Sequence, residues 1–129
     1  MSSDSLRKYL QSMLKGVGGL HAIIIADRDG VPLVKAVTDN CPDHATRAPF
    51  LSVYGTASDQ ASKLKIGQNK SMICYYNNFQ LILINRAPIF VTMIASADVN
   101  TGACLNLMSE LDPILTEIKP IAEAAIAAV

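Results

Sequence analysis

Three apolar runs follow one another between Lys70 and Ser96, joined by turns too short to hold a helix. They are Lys70–Tyr76, Phe79–Asn85 and Ile89–Ser96, rich in isoleucine, leucine, valine, methionine and aromatic residues. That composition suits a half-buried pleated surface. Asn77-Asn78 joins the first two runs, and asparagine tolerates the positive φ that a two-residue hairpin turn requires. Arg86-Ala87-Pro88 joins the second to the third. Strands linked this tightly run antiparallel, because a parallel neighbour needs a crossover of about a dozen residues. The segment therefore reads as a three-stranded meander.

A second strand pair lies upstream. Leu20–Ala26 is isoleucine-rich, Asp27-Arg28-Asp29-Gly30 is a turn, and Val31–Val37 returns. Pro32 has no N–H to give to a ladder, which places this return strand at a sheet edge. Helices separate and flank the strands. Leu6, Tyr9, Leu10, Met13 and Leu14 recur at helical spacing, so a helix is expected over Ser5–Lys15. Thr38–Pro49 reads as a loop. Phe50–Leu64 reads as the middle helix, with Phe50, Tyr54, Ala57, Ala61 and Leu64 on one stripe. A last helix is capped near Asn100 or Thr101, with Leu107, Leu111, Ile114, Leu115 and Ile118 on its apolar face. Pro113 and Pro120 each remove a backbone bond, so a kink or break is expected near one of them.

Sequence neighbours tend to be neighbours in space. The simplest single sheet places the last strand beside the first, in the order two, one, five, four, three. The fold class is thus α+β (an α/β sandwich), a mostly antiparallel five-stranded sheet with three helices, in one domain over residues 1–129. Its edges are Val31–Val37, blunted by Pro32, and Lys70–Tyr76, which holds no proline and only Lys70 as a charge. An unguarded apolar edge invites pairing with another chain.

Composition narrows the function classes. Eleven basic and eleven acidic residues balance to zero net charge, unlike the basic footprint of a nucleic-acid binder. Charged residues are 17% of the chain, below the roughly 25% of soluble domains. A tightly packed core or a surface covered by a partner would both account for that. No apolar run reaches the roughly 20 residues of a membrane span. No secretory, myristoylation or prenylation signal is apparent, so any membrane attachment is expected to come through a partner. Cys41, Cys74 and Cys104 are odd in number and far apart, which argues for free thiols in a reducing compartment.

Chemistry-bearing patterns are scarce. Asp27, Asp29 and Gly30 lack the further ligands and terminal glutamate of a calcium loop, and read as a plain turn. His21 and His44 form no metal-ligand spacing with the cysteines. No nucleophile, base and acid pattern, phosphate loop or dinucleotide fingerprint occurs. No enzyme activity, metal or cofactor is expected.

Several ordered stretches together carry a family resemblance. They are Gly19-Leu20-His21-Ala22-Ile23, Asp27-Arg28-Asp29-Gly30-Val31-Pro32, Thr56–Leu64 with Asp59-Gln60, Asn69–Asn77 and Asn100-Thr101-Gly102. With them the chain resembles the Roadblock-type family, and within it the MEK-partner scaffold subunits of the animal Ragulator complex. The resemblance implies a heterodimer with a second Roadblock-type subunit, with sheets joined edge to edge and middle helices stacked. It implies a place among the other Ragulator subunits on the cytoplasmic face of late endosomes and lysosomes. Membrane contact would be indirect, through a lipidated subunit. It implies recruitment of Rag GTPases for amino-acid signalling to the TOR kinase, and scaffolding of the kinases MEK and ERK. The partner interface is then expected at Phe50, Tyr54, Gly55, Ala57, Ser58 and Ala61 of the middle helix, with Gly55 and Ser58 at the helix contact. On the open edge it is expected at Lys70, Ser71, Met72, Ile73, Cys74, Tyr75 and Tyr76. The alternative is a homodimeric Roadblock-like regulatory domain that senses a small molecule.

Overall fold

A computed structural model describes residues 3–127. Helix α1 covers Ser3–Gly16, and its Leu6, Leu10, Met13 and Leu14 are buried on one side. Strand β1 is Leu20–Asp27 and β2 is Pro32–Val37. A 3-10 turn, Asp43–Thr46, leads into α2, Ala48–Leu51, and α3, Val53–Ser62. The meander is β3, Ser71–Tyr75, β4, Phe79–Arg86, and β5, Ile89–Ser96. The chain closes with α4, Thr101–Asn106, and α5, Met108–Ala127.

The five strands form one sheet in the order β2-β1-β5-β4-β3, with every neighbouring pair antiparallel. This is the expected order, and it follows from burial. β5 is buried along almost its whole length, and β1 nearly so. Strands apolar on both faces belong at the centre of a sheet covered by helices on both sides. Ile23, Ile25, Val91, Met93, Ile82 and Ile84 meet α1 and α5 on one face. Alternate residues point the other way. Ala22, Ile24 and Ile94 pack with Ala45 and Leu51, and Leu83 and Phe90 pack with Tyr54. The three helical stretches thus sandwich the sheet, with α1 and α4–α5 on one face and α2–α3 on the other.

The helices differ from the sequence reading in several details. The middle helix starts earlier, at Ala48, with Pro49 in its first turn, where the missing N–H costs nothing. It is interrupted at Ser52, and it ends at Ser62, leaving Leu64 in the following loop. No break falls at Pro113 or Pro120, since α5 runs through both. Both prolines are exposed, so the carbonyls that lose their donors can turn to water. The interruption lies instead at Leu107, between α4 and α5. Asn100 caps α4 as expected, accepting the Ala103 N–H at 3.0 Å.

A candidate protein-interaction edge

Strand β3 pairs with β4 on one side and has no strand on the other. The phase of that single ladder decides which backbone groups are left over. Tyr76 donates its N–H to the Phe79 carbonyl at 2.8 Å, and Asn85 donates to the Lys70 carbonyl at 2.9 Å. Bonding alternates along an antiparallel strand. Lys70, Met72, Cys74 and Tyr76 therefore turn their N–H and C=O groups inward, and Ser71, Ile73 and Tyr75 turn theirs outward. Asn69 Nδ2 donates to the outward Ser71 carbonyl at 3.1 Å. The remainder of the outward row is a template for another strand.

Side chains alternate across the same strand. Ile73 reaches the core shared with α1 and α5. Met72 and Cys74 lie half-buried on the opposite face, with Tyr54, Leu83 and Phe90. Lys70 and Ser71 are exposed. Tyr75 and Tyr76 are 71% and 59% exposed, large apolar areas beside unpaired backbone. The helical layer does not seal against this edge. A hollow of about 290 Å³ separates the Val53, Tyr54 and Ala57 side of α3 from Met72, Cys74 and Tyr76. A second, of about 470 Å³, opens beside the β3–β4 turn between His44, Phe50, Asn77 and Phe79.

The expected middle-helix residues divide into two groups. Tyr54 is buried edge-on against Phe90, with ring centroids 5.6 Å apart, and its hydroxyl donates to Asn69 Oδ1 at 2.7 Å. Burial pushes the Tyr54 phenol up to about 12, against a smaller opposing pull from Arg86. Gly55 and Ser58 are also buried. A Cβ on Gly55 would stand 3.2 Å from the Arg28 carbonyl oxygen. The close backbone that Gly55 admits is thus the chain's own β1–β2 turn. Arg28 also pairs with Asp59, fastening α3 to that turn. Phe50, Ala57 and Ala61 are half-buried, and Phe50 packs edge-on to His44 at 5.6 Å. The solvent side of α3 is carried by Val53, Thr56 and Gln60.

Sequence reasoning passed over Val53, Arg28 and Asn69. Val53, Thr56 and Gln60 follow helical spacing, a signal that was available. The Arg28–Asp59 and Tyr54–Asn69 pairings span 31 and 15 residues, and nothing local announces them.

The site carries little chemical reactivity. Burial, with help from the neighbouring Asp43 charge and against Lys35, raises the Cys41 thiol, and burial alone raises Cys104. Neither is an activated thiolate at neutral pH. Among the described residues no group of three His, Cys, Asp or Glu side chains is placed to hold a metal ion. Nor is any helix among them long and apolar enough to cross a membrane.

The sheet order, the flanking helices and the open β3 edge together define a Roadblock-type domain. Solved structures agree on that fold. A Roadblock/LC7 domain from Streptomyces avermitilis superposes with a TM-score of 0.66 at 11% identity, covering 85% of this chain and 97% of that one. Myxococcus xanthus MglB superposes with a TM-score of 0.70 at 13% identity, covering 88% and 94%. Sequence comparison goes further. The family model described as "Mitogen-activated protein kinase kinase 1 interacting" matches residues 4–122, and the chain belongs to that family. Among its relatives are the "Ragulator complex protein LAMTOR3" of Pagrus major, 47% identical over 94% of this chain and 98% of its own length. The protein of the same name from Homo sapiens is 46% identical over 95% of this chain and 99% of its own.

Proposed function

We propose that the chain is a scaffold subunit that pairs, through its β3 edge and the adjoining side of α2–α3, with a second Roadblock-type subunit within a Ragulator complex. The observation that carries this reading is the outward row of Ser71, Ile73 and Tyr75 backbone groups beside two exposed tyrosines. Strand addition supplies backbone bonds, and flanking side chains supply selectivity. Met72, Cys74 and Tyr76 would meet the partner across the hollow, together with Phe50, Ala57 and Ala61. Tyr54, Gly55 and Ser58 act from beneath, by holding α3 in place.

The work of such a subunit is spatial. Ligands held on one rigid platform meet at raised effective concentration with no chemistry by the platform. By kinship with the Ragulator proteins, the ligands are Rag GTPases in signalling to the TOR kinase, and the kinases MEK and ERK. The setting is the late endosomal and lysosomal surface, reached through a lipidated subunit. Hydrogen exchange tests the edge. The Ser71, Ile73 and Tyr75 amides should exchange quickly in the lone chain and become protected when the second Roadblock-type subunit is added. Equal protection with and without it would remove the reading. The 470 Å³ hollow favours the alternative of a small-molecule regulatory domain. Native mass spectrometry of the purified chain would reveal a retained ligand in that case.

A further inference from the structure

The loop from Lys63 to Lys70 continues directly into the open edge, and it has an uncommon surface. Leu64 and Ile66 are 70% and 86% exposed. Lys63, Lys65 and Lys70 flank them, all exposed, and no ion pair engages them among the described residues. Lys65 takes the left-handed conformation at φ 57, which bends the loop sharply between the two aliphatic side chains. The sequence has no acidic residue between Asp59 and Asp98, and Asp59 is engaged by Arg28. Exposed aliphatic area ringed by unpaired cations is a half-interface that an acidic, apolar surface would complete.

Geometry says which part of a partner would supply it. Two similar domains joined through equivalent edges are related by an approximate two-fold axis. Their edge strands then run antiparallel about a midpoint, here Ile73, the centre of Ser71–Tyr75. Lys70 and the loop before it come to lie beside the end of the partner's edge strand and the turn that follows. In a second copy of this chain that place is filled by Tyr75-Tyr76-Asn77-Asn78, which holds no acid. Self-pairing would leave three lysines without a complement.

We propose that the Lys63–Lys70 loop selects a different chain over a second copy. It does so by docking Leu64 and Ile66, with Lys63, Lys65 and Lys70, onto an acidic hairpin at the end of the partner's edge strand. This rests on the edge-pairing reading and explains why the pair is mixed.

The test uses the full chain and the purified second Roadblock-type subunit of the same complex. Dissociation constants are measured across a salt series for the wild type, for the triple variant Lys63→Glu, Lys65→Glu, Lys70→Glu, and for Leu64→Ser with Ile66→Ser. Circular dichroism confirms that each variant is folded. The triple variant should bind on the order of tenfold more weakly at low salt, and should lose the wild-type weakening with added salt. The Leu64/Ile66 variant should bind more weakly at every salt concentration. Self-association of the wild type, measured by sedimentation, should be at least about tenfold weaker than the mixed pair. Tyr75→Pro serves as the edge control. If it abolishes pairing while both loop variants bind as the wild type does, the loop proposal fails and the edge reading stands. If Tyr75→Pro binds normally, the edge reading itself fails. Self-association as tight as mixed pairing also overturns the proposal. So does a triple variant that pairs normally but loses binding to phosphatidylserine vesicles, which would assign the lysines to a membrane.

Discussion

Tyr75 and Tyr76 are adjacent, both exposed, and opposite in backbone phase, so proline at each position asks the ladder a direct question. The Tyr75 N–H points outward, and its side chain is 71% exposed. Tyr75→Pro therefore removes no bond within the chain and little packing. Proline is tolerated where the N–H faces away from the sheet, and the cost to the lone chain should be about 1 kcal/mol or less. The Tyr76 N–H instead donates to the Phe79 carbonyl at 2.8 Å. Tyr76→Pro deletes that bond, worth about 1 kcal/mol net. It also presses the proline ring toward the same carbonyl, and the total should be about 2 kcal/mol or more. Urea unfolding followed by circular dichroism gives both numbers. Partner binding should show the reverse pattern for the milder variant, with Tyr75→Pro stable alone yet unable to pair. Equal destabilisation by the two substitutions would refute the assigned phase, and with it the identity of the outward groups.

Two further substitutions probe how α2 and α3 are held. Gly30 has φ +84, and a Cβ there would collide with the Ala48 carbonyl oxygen. Gly30→Ala combines left-handed strain of about 1–2 kcal/mol with that collision. It should cost at least ~3 kcal/mol in urea unfolding and weaken partner binding by displacing α2; a loss below about 1 kcal/mol would contradict the seating described. Tyr54 should make the fold sensitive to alkali. Its phenol titrates near 12 in the folded chain against 10.0 ordinarily. As pH rises past 10, the unfolded state therefore gives up its proton while the folded state keeps it, and stability falls. The loss should reach about 2 kcal/mol by pH 12. Tyr54→Phe should lack this component while costing about 1 kcal/mol at neutral pH. An unchanged alkaline slope in that variant would locate the effect elsewhere.

The parts legible in the sequence were those fixed by local pattern. Asn77-Asn78 closes its hairpin as a two-residue turn, with Tyr76 bonded to Phe79. The apolar runs became strands, and burial of β1 and β5 forced the sheet order. Long-range contacts were not legible. Gly55 looked like room for a neighbouring helix because its sequence surroundings hold no trace of Arg28, which folding brings beside it. Periodicity cannot reveal that Pro113 and Pro120 both stay exposed, where a lost donor leaves its carbonyl open to water. The outward phase of Ser71, Ile73 and Tyr75 needed the register with β4 before any residue could be assigned to it.

The far side of the sheet differs from β3 in ways that bear on stoichiometry. β2 pairs with β1 through a register shift beside Ile25 and Ala26, opposite Pro32, and it presents Lys35 to solvent. A bulge, a proline and a lysine are devices that discourage a strand from accepting a newcomer. A sheet receptive on both flanks could grow without limit, as fibrils do. If β3 pairs as proposed, with the other flank discouraged, growth stops once a single neighbour has docked, and the product is a closed pair.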